Sequence, residues 1–355
     1  MNSVKILHIS DMHIGRKFRH LNPRKAALRS SEVLMSFENV IERFDDAEIV
    51  LMSGDIFEND VSASEIDYVI NVFKKHPDKK FFISFGNHDC MEYNQIKIFV
   101  SKLPENVHAF SDSVEKFEVE EYNLVVYGAS FSTPSLYSSL LYGFKAEKSD
   151  KLQIMVLHAD VNSDSRYNPV TYDEISGSNL DYLALGHIHS FSGILNKNNV
   201  TYAYPGVFEP GGFDEVGECG VIYGEVFKGG TNLKFYPTSK RQYQHLTVDV
   251  SGFSSNEELA TYISKETDKD NFYKITLVGT PSFNVFDFEL FMDVSDAFYL
   301  EFADECTNKR SILDYKSEDS LKGATACALE LLRHSSSDDV YERACQILTE
   351  IMCKE

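Results

Sequence analysis

The sequence predicts an α/β (α+β) fold: a two-sheet β-sandwich flanked by helices, with a small α+β unit at the C-terminal end. Three observations carry this. Apolar strand-like runs alternate with helix-spaced runs over the first ninety residues, strand runs closed by turns dominate from about residue 114, and a mixed pattern resumes after about residue 245.

The first block reads β-α-β-α-β. Residues 4 to 10 alternate and β-branch like a strand, and residues 29 to 44 put Val33, Phe37, Val40, Ile41 and Phe44 at helical spacing. "AEIVLMSGD" (47–55) is a buried strand, residues 64 to 75 carry Ile66, Val69, Ile70 and Phe73 on one helical face, and "KKFFISFGNHD" (79–89) returns to strand. The second block holds the runs "VEKFEVEEYNLVVYGAS", "LQIMVLHAD", "DYLALGHIHS", "NVTYAYPGV", "GVIYGEVF" and "NLKFYPT". Beyond it lie a helix near 255 to 266, strands near 272 to 279 and 297 to 303, and helices at 320 to 334 and 338 to 352. These shifts divide the chain into domains 1–245 and 246–355, the second a capping or partner-binding unit.

With 43% hydrophobic residues, 26 Phe and 19 Tyr, the chain can build a sizeable core, and no apolar stretch reaches the roughly 18 residues of a membrane span. Its start reads as a first core strand without a cleavage site, and its six cysteines (90, 219, 306, 327, 345, 353) are scattered. Both point to a cytoplasmic protein with reduced thiols. The net charge of −21 opposes a polyanionic partner at long range. Residues 12 to 31 nevertheless contain no acid, and they hold Arg16, Lys17, Arg19, Arg24, Lys25 and Arg29.

Five polar clusters each follow a strand-like run: Asp11-Met12-His13, Gly54-Asp55, Gly86-Asn87-His88-Asp89, His158-Ala159-Asp160 and Gly186-His187-Ile188-His189. Strand ends are where open α/β sheets build their sites. Together the clusters offer Asp11, Asp55, Asn87, His13, His158, His187 and His189, with His88 to spare. Such an oxygen and imidazole set suits two divalent cations of the Mn, Fe or Zn kind, which can bind a phosphate and activate a water. Glycine beside Asp55, Asn87 and His187 lets the chain turn sharply toward the ions. In an extended "HIH", residues two apart point the same way, so one strand end can offer two rings. His8 reads as packing or hydrogen-bonding within the first strand, and His20, His76, His108, His245 and His334 read as ordinary histidines.

The ordered set D-x-H, G-D, G-N-H-D, H and G-H-x-H resembles the calcineurin-like metallophosphoesterase superfamily. "DMHIGRK" (11–17), "GDIFEND" (54–60) and the Tyr-Pro-Gly block "YAYPGVFEPGGFDEVGECGVIYGEV" (202–226) further resemble its DNA-repair nucleases of the SbcD and MRE type. The stretch 298–332 looks most like the YhaO branch of SbcD-like proteins. Departures are Glu58 where the pattern has Asp, and His158-Ala159 where it has His-Gly. The resemblance implies that Asp11, His13 and His189 hold one ion, that Asn87, His158 and His187 hold the other, and that Asp55 bridges them. It gives His88 a contact with the scissile phosphate that helps the leaving oxygen depart. Asp89 is either an outer group orienting His88 or a turn residue.

The resemblance also implies a Mn²⁺-dependent phosphodiesterase cutting DNA in repair, 3′ to 5′ from ends and endonucleolytically in single strands. Its partners would be DNA and an SMC-like ATPase of the SbcC type, with a homodimer made by the helix at 29 to 44, where Met35 and Phe37 serve equally as core or interface. The Arg16 to Arg29 stretch, with Arg16, Lys17 and Arg19 foremost, is either the DNA-contacting patch bordering the metals or a solvated loop. Two other readings stand beside this one: a phosphodiesterase or phosphatase on a small nucleotide, motivated by the acidic charge, and a non-catalytic scaffold for the ATPase.

Overall fold

In the computed structural model, residues 3–283, 285–306, 312–333 and 337–352 are described. His334, Cys353 and part of the 298–332 stretch lie outside them. The chain divides into two compact units, Met1–Tyr243 and Gln244–Glu355.

The first unit is the expected two-sheet sandwich with flanking helices. One sheet is built from β1 (Ser3–Ile9), β2 (Ile49–Ser53), β3 (Lys80–Ser84) and β4 (Val107–Ala109), which run parallel side by side. The second contains β5 (Glu115–Val119), β6 (Leu124–Ala129), β7 (Leu152–His158), β10 (Tyr182–Gly186), β11 (Leu195–Lys197) and β12 (Val200–Ala203). A two-stranded ladder, β8 (Asp160–Val161) with β9 (Pro169–Val170), lies between β7 and β10 in sequence. The hairpin β13 (Gly220–Phe227) and β14 (Gly230–Pro237) returns to the first sheet and pairs antiparallel with β1.

Period-two alternation assigns the faces. Val4 and Ile6, Ile49 and Leu51, and Phe82 meet Val126, Ile154, Val156, Tyr182 and Ala184 in the core between the sheets. The alternate residues Met155, Leu157, Leu183 and Leu185 face the other way, onto a layer that includes Ile175 of α4 (Tyr172–Gly177). At one end of the inter-sheet core, His8 bonds to the Tyr182 hydroxyl and the Ser53 hydroxyl, at 2.8 Å each. His8 is therefore tied across strands and sheets, and not within β1; burial holds its pKa down to about 3.

Helix α1 spans Pro23–Arg43, six residues earlier than the apolar spacing indicated. Asn22 caps it and Pro23 supplies the first-turn residue without a needed N–H. Phe37 is core, in edge contact with Phe73 of α2 (Ala63–Lys75), while Met35 is 55% exposed. Helix α3 (Asn94–Ser101) brings Phe99 onto Phe57 and Phe85.

The second unit has β15 (Tyr243–Asp249), β16 (Phe272–Val278) and β17 (Tyr299–Asp304) in one sheet, packed with α5 (Asn256–Glu266) and α6 (Phe288–Val294). Helices α7 (Leu321–Leu332) and α8 (Asp338–Met352) form a further small core around Ile312, Tyr315, Leu329 and Cys345. The five described cysteines form no disulfide. Among the described residues, no helix is long and apolar enough to cross a membrane.

Candidate metal centre

The C-terminal ends of β1, β2 and β3 in one sheet and of β7 and β10 in the other converge on one polar pocket. Past the strands the backbones stay laced: Asp11 N–H donates to Gly54 O at 3.0 Å, His13 N–H to Asp55 O at 2.9 Å and Glu58 N–H to Ile14 O at 2.8 Å. Asp11, His13 and Asp55 have φ of 49°, 49° and 50°, and His187 has φ of 110°. Non-glycine residues avoid these regions at a cost of about 1–3 kcal/mol each, so the fold concentrates backbone strain on this pocket. "HIH" is accordingly not an extended strand end. β10 stops at Gly186, and the turn at His187 sends the two rings to different neighbours: His187 to the His158 ring (5.2 Å between centroids) and His189 to the His13 ring (5.1 Å).

The neighbouring glycines serve mainly close approach. Only Gly54 has a left-handed φ, of 91°. A Cβ on Gly86 would overlap the Asp55 carboxylate, and one on Gly186 would overlap the Ser53 carbonyl.

Ligand-type atoms of Asp11, His13 and His189 gather within 4.8 Å of one another, as do those of Asp11, Asp55 and His158. His158 Nε2 lies 3.1 Å from Asn87 Oδ1 and 3.5 Å from Asp55 Oδ2, and His13 Nε2 lies 4.0 Å from Asp55 Oδ2. Asp11 is common to the two groups, and Asp55 lies within 3.5 Å of His158 Nε2 and 4.0 Å of His13 Nε2, so both carboxylates stand between them. His187 donates its backbone N–H to the Asp11 carboxylate at 3.1 Å, with its ring beside His158. Asp11, His13, Asp55 and His158 are buried, whereas Asn87, His88, His187 and His189 are half-buried, so the pocket opens on that side.

A second layer fixes the imidazoles. His13 Nδ1 is 3.0 Å from Glu58 Oε1, His189 Nδ1 is 2.6 Å from Glu215 Oε1, and His158 Nδ1 is 3.0 Å from the Ser53 carbonyl. Each partner is an acceptor, so each Nδ1 carries a hydrogen, and a ring that holds no second proton turns an Nε2 lone pair inward. Acceptor-type atoms therefore crowd together: His13 Nε2 faces His189 Nε2 at 3.2 Å, and His158 Nε2 faces two side-chain oxygens. Positive charge is what such a cluster lacks, and divalent cations fit it.

Titration differs among these rings, lowered at His13 and His187 and raised at His189. Burial keeps His13 below its ordinary value and, together with the charge of His158, lowers His187 to about 4. Against burial, the hydrogen bond to His189 and the charge of Arg16 hold Glu215 down at about 2; the same bond raises His189, again against burial. His88 is raised to about 9 by its hydrogen bond to Glu58, and is cationic at neutral pH.

Two expected roles change. Asp89 does not hold the His88 ring. Its buried carboxylate accepts the backbone N–H of Gly86 (2.6 Å), Ile56 (2.7 Å), Asp55 (3.2 Å) and Phe57 (3.3 Å), which locks the loops after β2 and β3 together. Glu58 orients His88 instead, at 3.0 Å to its Nδ1. The basic stretch also presents fewer outward cations than its sequence suggests. Arg16 is paired with Glu215, Lys17 with Asp60, and Arg29 is fully buried against Glu209. Lys17, although paired, is exposed, as are Arg19 and Arg24. Sequence reasoning missed Glu58 and Glu215 as supports. Glu58 had one available signal, an acid four residues past Gly54 in a block read for its Asp55.

Residues 4–191 match the Calcineurin-like phosphoesterase family, and the chain belongs to it. The match takes in all seven expected ligands and stops short of Glu215. The chain is 25% identical over 305 residues to the uncharacterized metallophosphoesterase YhaO of Bacillus subtilis (strain 168), covering 79% of this chain and 70% of that protein. It is 21% identical over 267 residues to the DNA double-strand break repair protein Mre11 of Aeropyrum pernix, covering 69% of this chain and 64% of that protein.

Proposed function

We propose that this protein is a dinuclear-metal phosphodiesterase of the SbcD and MRE type, in its YhaO-like branch, acting on DNA in repair as an exo- and endonuclease in the cytoplasm. The observation that carries the hydrolytic part is the gathering of imidazole nitrogens of His13, His158 and His189 around the carboxylates of Asp11 and Asp55. The likeness to Mre11 of A. pernix supports the DNA part. Asp11, His13 and His189 would hold one ion, and Asn87, His158 and His187 the other. Asp55 would be shared, and Mn²⁺ suits the donors. When bound, such ions supply Lewis acidity and a hydrolytic water.

The chain's own groups account for the rest. His88 sits on the open side of the pocket with a charged ring held by Glu58, suited to a phosphate oxygen and to the departing alkoxide. A groove of about 510 Å³ lined by Gly15, Arg16, Lys17, Arg19, Ser30 and Ser62 adjoins the His13 turn, and it offers Arg19 to a phosphate backbone. Exposed Leu28 and Met35 on α1 support a homodimer. Exposed Leu321, Leu331, Val340 and Ile347 on α7 and α8 support an apolar contact with an SMC-like ATPase of the SbcC type.

One observation favours a small-nucleotide substrate instead: the net charge of −21, combined with the pairing of Arg16, Lys17 and Arg29. A substrate panel with Mn²⁺ separates the two. Cleavage of duplex ends or single-stranded DNA is expected. Turnover of bis-p-nitrophenyl phosphate and mononucleotides with no cleavage of any DNA, alone or with the ATPase, would favour the second reading.

A further inference from the structure

Arg16 follows directly from the turn that carries His13. Its N–H donates to the His13 carbonyl at 3.0 Å, and Gly15 makes the turn with φ of 97°. Its side chain then runs inward, with 21% exposure, between two carboxylates from distant parts of the chain. Nη1 contacts Glu215 Oε2 at 2.9 Å and Oε1 at 3.2 Å, and Nε lies 3.8 Å from Glu58 Oε1. Those carboxylates hold the Nδ1 atoms of three site histidines: Glu58 binds His13 and His88, and Glu215 binds His189.

The seat is built for the guanidinium. Gly211 donates its N–H to Glu215 Oε2 at 2.5 Å, and a Cβ on Gly211 would overlap Arg16 Nη1. The loop bearing Gly211 is itself anchored, since Glu209 accepts from the buried Arg29, from Ser36 Oγ at 2.5 Å and from Lys240 N–H at 2.7 Å. A planar guanidinium sets its nitrogens toward the two carboxylates in a fixed geometry, which a point-like ammonium on a flexible stem does not reproduce.

We propose that Arg16 is a positioning residue of the metal centre: by bridging Glu58 and Glu215 it fixes the rings of His13, His88 and His189 as one unit. This rests on the metal-centre reading above, and it turns a residue expected to meet DNA toward the inside. Without the bridge, the two carboxylates lose their common anchor and repel each other, so the imidazoles they accept from are no longer held in one place. Losses of this outer-layer kind weaken metal binding about tenfold to a hundredfold.

The test is Mn²⁺ titration calorimetry on the full chain, paired with bis-p-nitrophenyl phosphate kinetics at saturating Mn²⁺. Arg16→Gln is expected to weaken Mn²⁺ binding at least tenfold and to lower kcat while leaving KM within about twofold. Gly211→Ala, which alters no charge, is expected to give the same phenotype, and it carries the test should Arg16→Gln fail to fold. Arg16→Lys is expected to recover only part of the loss, and Lys74→Gln, at an exposed position of α2, to bind Mn²⁺ like the wild type. Unchanged Mn²⁺ affinity in Arg16→Gln and Gly211→Ala, or a raised KM alone, would overturn the proposal and leave the metal centre standing. Full recovery by lysine would also overturn it, and a wild type that binds no Mn²⁺ would overturn both.

Discussion

His88 Nδ1 lies 3.0 Å from Glu58 Oε2, and the other oxygen of the same carboxylate lies 3.0 Å from His13 Nδ1. One side chain therefore holds a proposed metal ligand and the proposed phosphate-contacting group in fixed relation. Because His88 needs no metal for its place, His88→Ala should keep full Mn²⁺ content and lose turnover by about 10²-fold to 10⁴-fold. Metal analysis beside kinetics checks this; metal loss in His88→Ala would make it a ligand and not a contact to phosphate.

Asp89 closes four backbone N–H groups onto one buried carboxylate. Removing it leaves those donors unpaired, each at about 1–3 kcal/mol when buried. Asp89→Ala should thus lower unfolding free energy by about 3 kcal/mol or more, with Asp89→Asn in between. Urea unfolding of the apo chain measures this. A loss below about 1 kcal/mol would mean the loops hold without it.

His8 gives a pH dependence of stated sign. Folded, burial depresses its pKa to about 3, whereas the unfolded chain titrates near 6.5. Its contribution is fully present above pH 6.5 and is lost as the pH falls toward about 3, because only the unfolded chain takes up the proton. That is a slope of about 1.4 kcal/mol per pH unit. The stability gap between wild type and His8→Asn should therefore shrink between pH 7 and pH 5 in parallel urea titrations. A gap that stays constant would contradict a neutral buried His8.

Much of this was legible in the residues. Ile49–Ser53, Lys80–Ser84 and Leu152–His158 read as buried strands because both faces are covered, and the polar cluster at each end marked the pocket. Asn22 and Pro23 would have placed the start of α1 correctly had capping been weighed above apolar spacing. What was not legible depends on distant partners. Nothing near Arg16 announces Glu215, 199 residues later, so a run without acids read as outward-facing. Likewise the antiparallel pairing of Gly220–Phe227 with β1 has no local signal. The turn at His187 is set by the packing of Gly186 on Ser53, and local alternation suggested an extended chain.

In the proposed centre, Asp55 joins two cation sites in one pocket. Elemental analysis of the Mn²⁺-reconstituted chain after gel filtration tests it most directly. Two ions per wild-type chain and none in Asp55→Ala are expected, whereas one ion or none in the wild type, or two retained in Asp55→Ala, would contradict a shared Asp55.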